Sequence, residues 1–202
     1  MATESVLPKT MDGEELWRFL NPQDGNWYVQ IMQGDSYVTD KPDEVLTTIL
    51  GSCIAACIRD PKAGVGGMNH FLLPDGRSDG RDARRFGVNA MEVLINGLIK
   101  LGGARERFEA KLFGGANVLP QLSDVGSRNV AFAKKYLSDE GIKLVGGDIG
   151  GSSPRRVQFW PVSGRVRQQE VRTDRKRLVE CEISEARHEP LEAAASHDVE
   201  LF

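Results

Sequence analysis

Three cysteines and three histidines occur in the 202 residues, and one of each sits where it could do chemistry. Cys53 closes the run Leu50-Gly51-Ser52-Cys53, and His70 follows seventeen residues later, at the end of Gly66-Gly67-Met68-Asn69-His70. A thiolate attacks a carbonyl carbon, while an imidazole takes the thiol proton and later hands it to the leaving group. The pair is therefore the minimum set for thiol-based acyl transfer. Gly51 and Ser52 let backbone come close to a ligand, and N–H groups of that turn suit a developing oxyanion. The competing reading is that Cys53 is one more inert thiol in an apolar strand. Cys57, inside Ile54-Ala55-Ala56-Cys57-Ile58 with no glycine beside it, fits that bland reading better. Cys181, His188 and His197 lie in the acidic C-terminal section and are expected to be incidental.

A catalytic imidazole needs a partner on its second nitrogen to fix its tautomer and direction. No Asp or Asn is singled out for that task. Thr47 and Thr48 each carry a hydroxyl that could serve, although strand threonines are ordinarily only strand formers. Asn69, beside the histidine, is a substrate-binding candidate together with Gly51 and Ser52. A zinc site would need Cys53, Cys57, His70 and a fourth ligand at a spacing that matches no familiar ligand ladder, so no metal is expected. The pairs Gly66-Gly67, Gly114-Gly115, Gly146-Gly147 and Gly150-Gly151 lack both phosphate-loop patterns and read as turns around a cleft. No organic cofactor is implied.

The elements that must position these residues follow from hydrophobic periodicity. Tyr28 to Met32 and Thr48 to Ile58 read as buried strands, and Gly64 to Leu73 as a strand pairing with the second after a turn at Asp60-Pro61. Asp82 to Leu101 is the clearest helix: Val88, Met91, Leu94, Ile95, Leu98 and Leu101 recur at helical steps, and Gly102-Gly103 stops it. Phe108, Ala110 and Leu112 alternate as in a half-buried strand. Val130 to Leu137 reads as a second helix, capped from Ser127 or Asp124 and ended by Gly141. Strands are expected at Ile142 to Val145, Val157 to Val162 and Arg165 to Val171. Two helices among about seven strands make a layered α/β domain, without the strict alternation of a parallel doubly wound sheet.

Composition bounds the rest. A net charge of −3 argues against nucleic-acid binding by the chain as a whole, and no apolar run approaches the roughly 20 residues that span a bilayer. The start, Met-Ala-Thr-Glu-Ser, lacks the basic and apolar stretches of a secretory signal, so a cytoplasmic protein with reduced thiols is expected. Residues 1–26 read as an acidic lead-in, with a short amphipathic piece around Leu16, Trp17 and Leu20 able to dock on a body at 27–177. From Arg155 to Arg177 eight basic residues face only Glu170 and Asp174, a surface that would suit a partner as well as solvent. Residues 178–202 hold seven acidic residues against Arg187 alone and no sustained apolar pattern, so that tail is expected to be disordered.

Several blocks together carry a resemblance. Thr47-Thr48-Ile49-Leu50-Gly51-Ser52-Cys53, Gly67-Met68-Asn69-His70-Phe71-Leu72-Leu73-Pro74 and Lys111-Leu112-Phe113-Gly114-Gly115-Ala116 closely resemble the chemoreceptor glutamine deamidases of the CheD family. Ala90-Met91-Glu92, Gly126-Ser127-Arg128-Asn129 and Asp148-Ile149-Gly150-Gly151 extend the likeness, which runs from about Gln33 to Val171. One departure is Pro154-Arg155, where that family usually carries Gly-Arg. The resemblance implies a layered α/β/β sandwich of mostly antiparallel strands and a triad of Cys53, His70 and Thr47, with Thr48 the less favoured threonine. It implies hydrolysis of receptor glutamine carboxamides through a Cys53 thioester, methylesterase action on the same sites, chemoreceptors as substrates and a CheC-type phosphatase as a partner. An adaptor of such a phosphatase, with little catalysis of its own, is the alternative from a different class. A papain-like protease is disfavoured by the missing Asn or Asp and the short cysteine-to-histidine spacing.

Overall fold

The computed structural model describes residues 9–10, 13, 15–74, 81–118 and 123–171. The expectation for the acidic tail at 178–202 lies outside these residues, as does the start of the N-terminal lead-in. Among the described residues ten strands form two five-stranded sheets. The first sheet has the order β1 (Arg18–Leu20), β2 (Trp27–Gln30), β4 (Glu44–Leu50), β9 (Arg155–Trp160), β10 (Arg165–Glu170). The second has the order β3 (Ser36–Thr39), β6 (Val65–Phe71), β5 (Ile54–Asp60), β7 (Glu109–Gly114), β8 (Lys143–Ile149). Pairing is antiparallel except between β2 and β4 and between β7 and β8. Helices α1 (Arg81–Lys100) and α2 (Ser123–Asp139) lie on the second sheet, giving the expected α/β/β layering. Among the described residues no helix is long and apolar enough to cross a membrane.

Strand period two sorts the second sheet's side chains between two cores. Ile54, Ala56, Ile58, Phe71, Ala110 and Leu112 face the helices, where they meet Met91, Leu94, Ile95 and Leu98 of α1 and Ala133 and Leu137 of α2. Cys53, Ala55, Cys57, Met68 and Phe113 face the first sheet, against Val29, Ile31, Leu46, Leu50, Val157 and Phe159. The helical stripe read from the sequence is thus the packed face of α1, although Leu101 lies beyond the helix and is exposed. Gly102, with φ +92°, turns the chain out of it.

Two expectations need correction, and two elements add to the rest. The single strand Thr48 to Ile58 is two strands in different sheets, broken at Gly51-Ser52-Cys53, because the chain crosses there from the first sheet to the second. The helix expected from Val130 starts at Ser123, so Ser127 lies inside it rather than capping it. The piece around Leu16, Trp17 and Leu20 docks as an edge strand, β1, with Leu16 buried between the sheets. Finally, β3 was too short to signal itself, and its four residues pair with β6 from Ser36↔Asn69 to Thr39↔Gly66.

The crossing is held by a close backbone contact. Gly114 has φ +100°, and a Cβ there would stand 2.1 Å from the Cys53 carbonyl oxygen. Gly126 of α2 is equally constrained, since its Cβ would lie 2.5 Å from the Gly115 oxygen. Gly102 offers a control: it has φ +92° with nothing within 4 Å of a would-be Cβ. Gly102→Ala should show only the backbone cost of a positive φ, about 1–3 kcal/mol. Gly114→Ala should lose clearly more, measured as the difference in melting temperature between the two variants. Equal losses would show that the Gly114–Cys53 contact places no constraint on the fold.

Candidate active site

Cys53 stands on the crossing itself, fully buried between the sheets. All three carbonyls of the turn are engaged on one side. The Gly51 oxygen accepts from Ala116 N–H at 2.8 Å, the Ser52 oxygen from Asn129 Nδ2 at 2.9 Å, and the Cys53 oxygen from Gly115 N–H at 2.8 Å. A planar trans peptide points its N–H opposite to its carbonyl. The Ser52 and Cys53 N–H bonds therefore point away from Ala116 and Asn129.

His70 is brought to the same layer by register. Ala55 pairs with His70 and Cys57 with Met68 across β5 and β6, and Ala55, Cys57 and Met68 all face the first sheet. Cys53, two residues before Ala55, is thus a diagonal neighbour of His70 on one face, a separation that side chains can bridge. His70 Nδ1 lies 2.9 Å from Thr48 Oγ1 and 3.5 Å from the Ile31 carbonyl oxygen. With the proton on Nδ1, the Thr48 hydroxyl and the Ile31 carbonyl both accept from it, and Nε2 carries the lone pair. Nε2 is buried and has no hydrogen-bond partner.

The threonine whose hydroxyl meets His70 in this structure is Thr48, the less favoured of the two, and not Thr47. The reason is the phase of β4. Leu46 and Leu50 face the inter-sheet core and Thr48 shares their side, whereas Val45 packs outside with Tyr28 and Trp160 and Thr47 follows it. Asn69 is also displaced from its expected role. It is paired with Ala56 on the helix-facing side, where its Oδ1 accepts from Ala56 N–H at 3.1 Å and its Nδ2 donates to the Ala90 oxygen at 2.9 Å. Asn69 therefore anchors α1, and the Ala90-Met91-Glu92 block is its docking site. Cys57 is buried, and that burial raises its thiol pKa far above the ordinary value. Among the described residues no group of three or more His, Cys, Asp or Glu side chains gathers to hold a metal ion.

Two site residues were not read from the sequence. Asn129, fully buried on α2, accepts from Leu73 N–H at 3.0 Å through Oδ1 while Nδ2 holds the Ser52 carbonyl. It thereby ties the cysteine turn to the segment that follows His70. Gln33, in the turn after β2, accepts a hydrogen bond from the Cys53 thiol, with Sγ 3.2 Å from Oε1. The glycine blocks continue the scaffold behind the turn: Gly150 N–H donates to the Gly114 oxygen, Asn117 N–H to the Gly151 oxygen, and the Arg155 guanidinium to the Asp148 and Gly150 oxygens. Arg155 is buried, so the residue after Pro154 stiffens this loop.

The family model described as CheD chemotactic sensory transduction matches residues 72–170. A Caulobacter vibrioides protein named "Probable chemoreceptor glutamine deamidase CheD" is 58% identical over 177 residues, which cover 86% of this chain and 92% of that protein. Proteins of the same name from Rhizobium meliloti and Agrobacterium fabrum are 54% and 49% identical, covering 74% and 86% of this chain and 83% and 96% of their own lengths. Among solved structures, the hypothetical protein YfiH of Bacillus licheniformis is 16% identical, covers 59% of this chain and 50% of its own, and has a TM-score of 0.38, too loose a likeness to bear on the argument.

Burial pushes the His70 pKa down to about 4 from its ordinary 6.5, opposed only by the Ile31 carbonyl. The ring is therefore neutral at neutral pH, with Nε2 ready to accept a proton. The unfolded chain takes up a proton below its ordinary His pKa, about 6.5, and the folded chain resists it until about 4. This group should leave stability untouched above that window and lower it progressively as pH falls through it. His70→Gln, which cannot titrate, should lose less melting temperature across that window than the native chain. Parallel losses, together with a His70 ring resonance titrating at its ordinary pH, would contradict the burial argument.

Proposed function

The chain belongs to the CheD family, and from that premise we propose that it deamidates glutamine side chains of chemoreceptors, with Cys53 as the nucleophile. The observation that carries the reading is the buried, unpartnered Nε2 of His70. Its other nitrogen is fixed by Thr48, and it lies on the same inter-sheet face as Cys53.

The chemistry follows from these groups. His70 Nε2 takes the Cys53 thiol proton as Sγ adds to the carboxamide carbon, and the carbonyl oxygen becomes an oxyanion against the Gly51–Cys53 turn. The C–N bond breaks as Nε2 returns the proton to the departing nitrogen, leaving ammonia and a thioester. Water then gives a proton to Nε2 and its oxygen to the acyl carbon. Collapse expels the Cys53 thiolate, which recovers its proton from His70, and the side chain leaves as glutamate. A methyl glutamate presents the same acyl carbon and would lose methanol in place of ammonia. Thr48 is a positioning residue, since it holds Nδ1 and so aims Nε2. No step needs a metal or organic cofactor.

The test is mass spectrometry of receptor peptides together with ammonia release. Cys53→Ala should abolish conversion of glutamine to glutamate. Thr48→Val removes the hydroxyl but keeps the shape. It should slow turnover about tenfold, the rate equivalent of roughly 1.4 kcal/mol for one hydrogen bond, and should alter the pH profile. Thr47→Val should stay near the native rate. Full activity in Cys53→Ala would overturn the nucleophile, and slowing by Thr47→Val alone would overturn the positioning role of Thr48.

A further inference from the structure

The thiol of Cys53 does not bond to His70 in this structure. Its proton is spent on Gln33 Oε1, while His70 Nε2, the base of the proposed reaction, makes no hydrogen bond. Gln33 ends in a primary carboxamide, the group on which the proposed reaction acts. It is half-buried, and the two residues that follow it are tied to the His70 backbone. Gly34 N–H donates to the His70 oxygen at 2.8 Å, and His70 N–H to the Asp35 oxygen at 3.1 Å. The turn is also closed on itself, by Met32 N–H to Asp35 Oδ2 at 2.7 Å and Asp35 N–H to the Met32 oxygen at 3.1 Å. The backbone beneath Gln33 is thus fixed relative to the catalytic strand, and its side chain alone can move away by rotamer change.

We infer that Gln33 occupies the carboxamide subsite of Cys53 in the resting protein, and that a receptor glutamine must displace it to reach the thiol. This rests on the reading under Proposed function. Cys53 is wholly buried here, so an incoming side chain cannot meet Sγ without moving something, and the Gln33 carboxamide is hydrogen-bonded to Sγ. In the resting contact the thiol donates to Gln33 Oε1, and Nε2 is left without a hydrogen bond. Once substrate takes the place of Gln33, the thiol proton can turn to His70. Substrate arrival and thiol activation are then one event, and a substrate pays for entry with a lower apparent affinity. Gln33 is a specificity-determining residue: an occupant that leaves only for a group able to replace its hydrogen bond.

The experiment compares Gln33→Ala and Gln33→Glu with the native chain in two assays. The first is the rate at which iodoacetamide alkylates Cys53 in the folded protein, which requires no receptor. Gln33→Ala should alkylate about two- to tenfold faster, the range one net hydrogen bond covers. Gln33→Glu retains an acceptor of the same length and should be no faster than native. The second assay is deamidation of receptor peptides, where Gln33→Ala should lower KM by a similar factor and leave kcat nearly unchanged. Unchanged or slower alkylation in Gln33→Ala overturns the inference. If the native chain shows no receptor deamidation while Gln33→Ala still speeds alkylation, the proposed reaction fails and the thiol cap stands. Deamidation by the native chain with an unchanged KM in Gln33→Ala overturns the displacement alone.

Discussion

The site depends on one constraint, the passage of the chain from one sheet to the other at Gly51-Ser52-Cys53. A strand that changes sheets must turn sharply inside the core, where every exposed carbonyl needs a partner. Here three consecutive carbonyls find theirs in Ala116, Asn129 and Gly115. Those partners come from the end of β7 and from α2, so the turn is shaped by chain far from it in sequence. The geometry requires glycine at 114, where any side chain would strike the Cys53 carbonyl. Once the turn is fixed, the cysteine faces the inter-sheet layer and needs no further device to point it there.

The inter-sheet layer then sets the electrostatics. Around Cys53 and His70 it is built of Val29, Ile31, Leu46, Leu50, Met68 and Phe159, which offer a charged imidazole little stabilisation. An imidazolium is disfavoured there, a neutral ring is retained, and a hydroxyl suffices to hold Nδ1 where a carboxylate would itself need solvation. This accounts for a threonine in the orienting place. The cost is a thiol sealed from solvent at Cys53.

Much of this was legible in the sequence, and the failures have physical causes. The stripe Met91, Leu94, Ile95, Leu98 and the β5–β6 hairpin were readable because each repeats its own period over many residues. The break between β4 and β5 was not, because apolar residues continue on both sides of Gly51. The glycine signalled room for a ligand as readily as a change of sheet. Thr47 was favoured by its match to the threonine of the resembled family, yet the phase of Leu46 and Leu50 already placed Thr48 inward. Period two was the better guide. Asn69 was misplaced by adjacency to His70, since neighbours on a strand face opposite ways. Asn129 lies 76 residues after Cys53 and on a helix, so only the packing of α2 against the turn reveals it. Gln33 carried no signal at all beyond its residue type.

The central claim is that acyl transfer passes through a thioester on Cys53, and trapping with hydroxylamine tests it most directly. A thioester partitions between water and hydroxylamine, so the target receptor glutamine should emerge partly as the hydroxamate, and only with Cys53 present. Mass spectrometry of that receptor peptide should find the hydroxamate with the native chain and neither hydroxamate nor glutamate with Cys53→Ala. Glutamate formed at full rate with no hydroxamate at any hydroxylamine concentration, or formed without Cys53, would contradict the account.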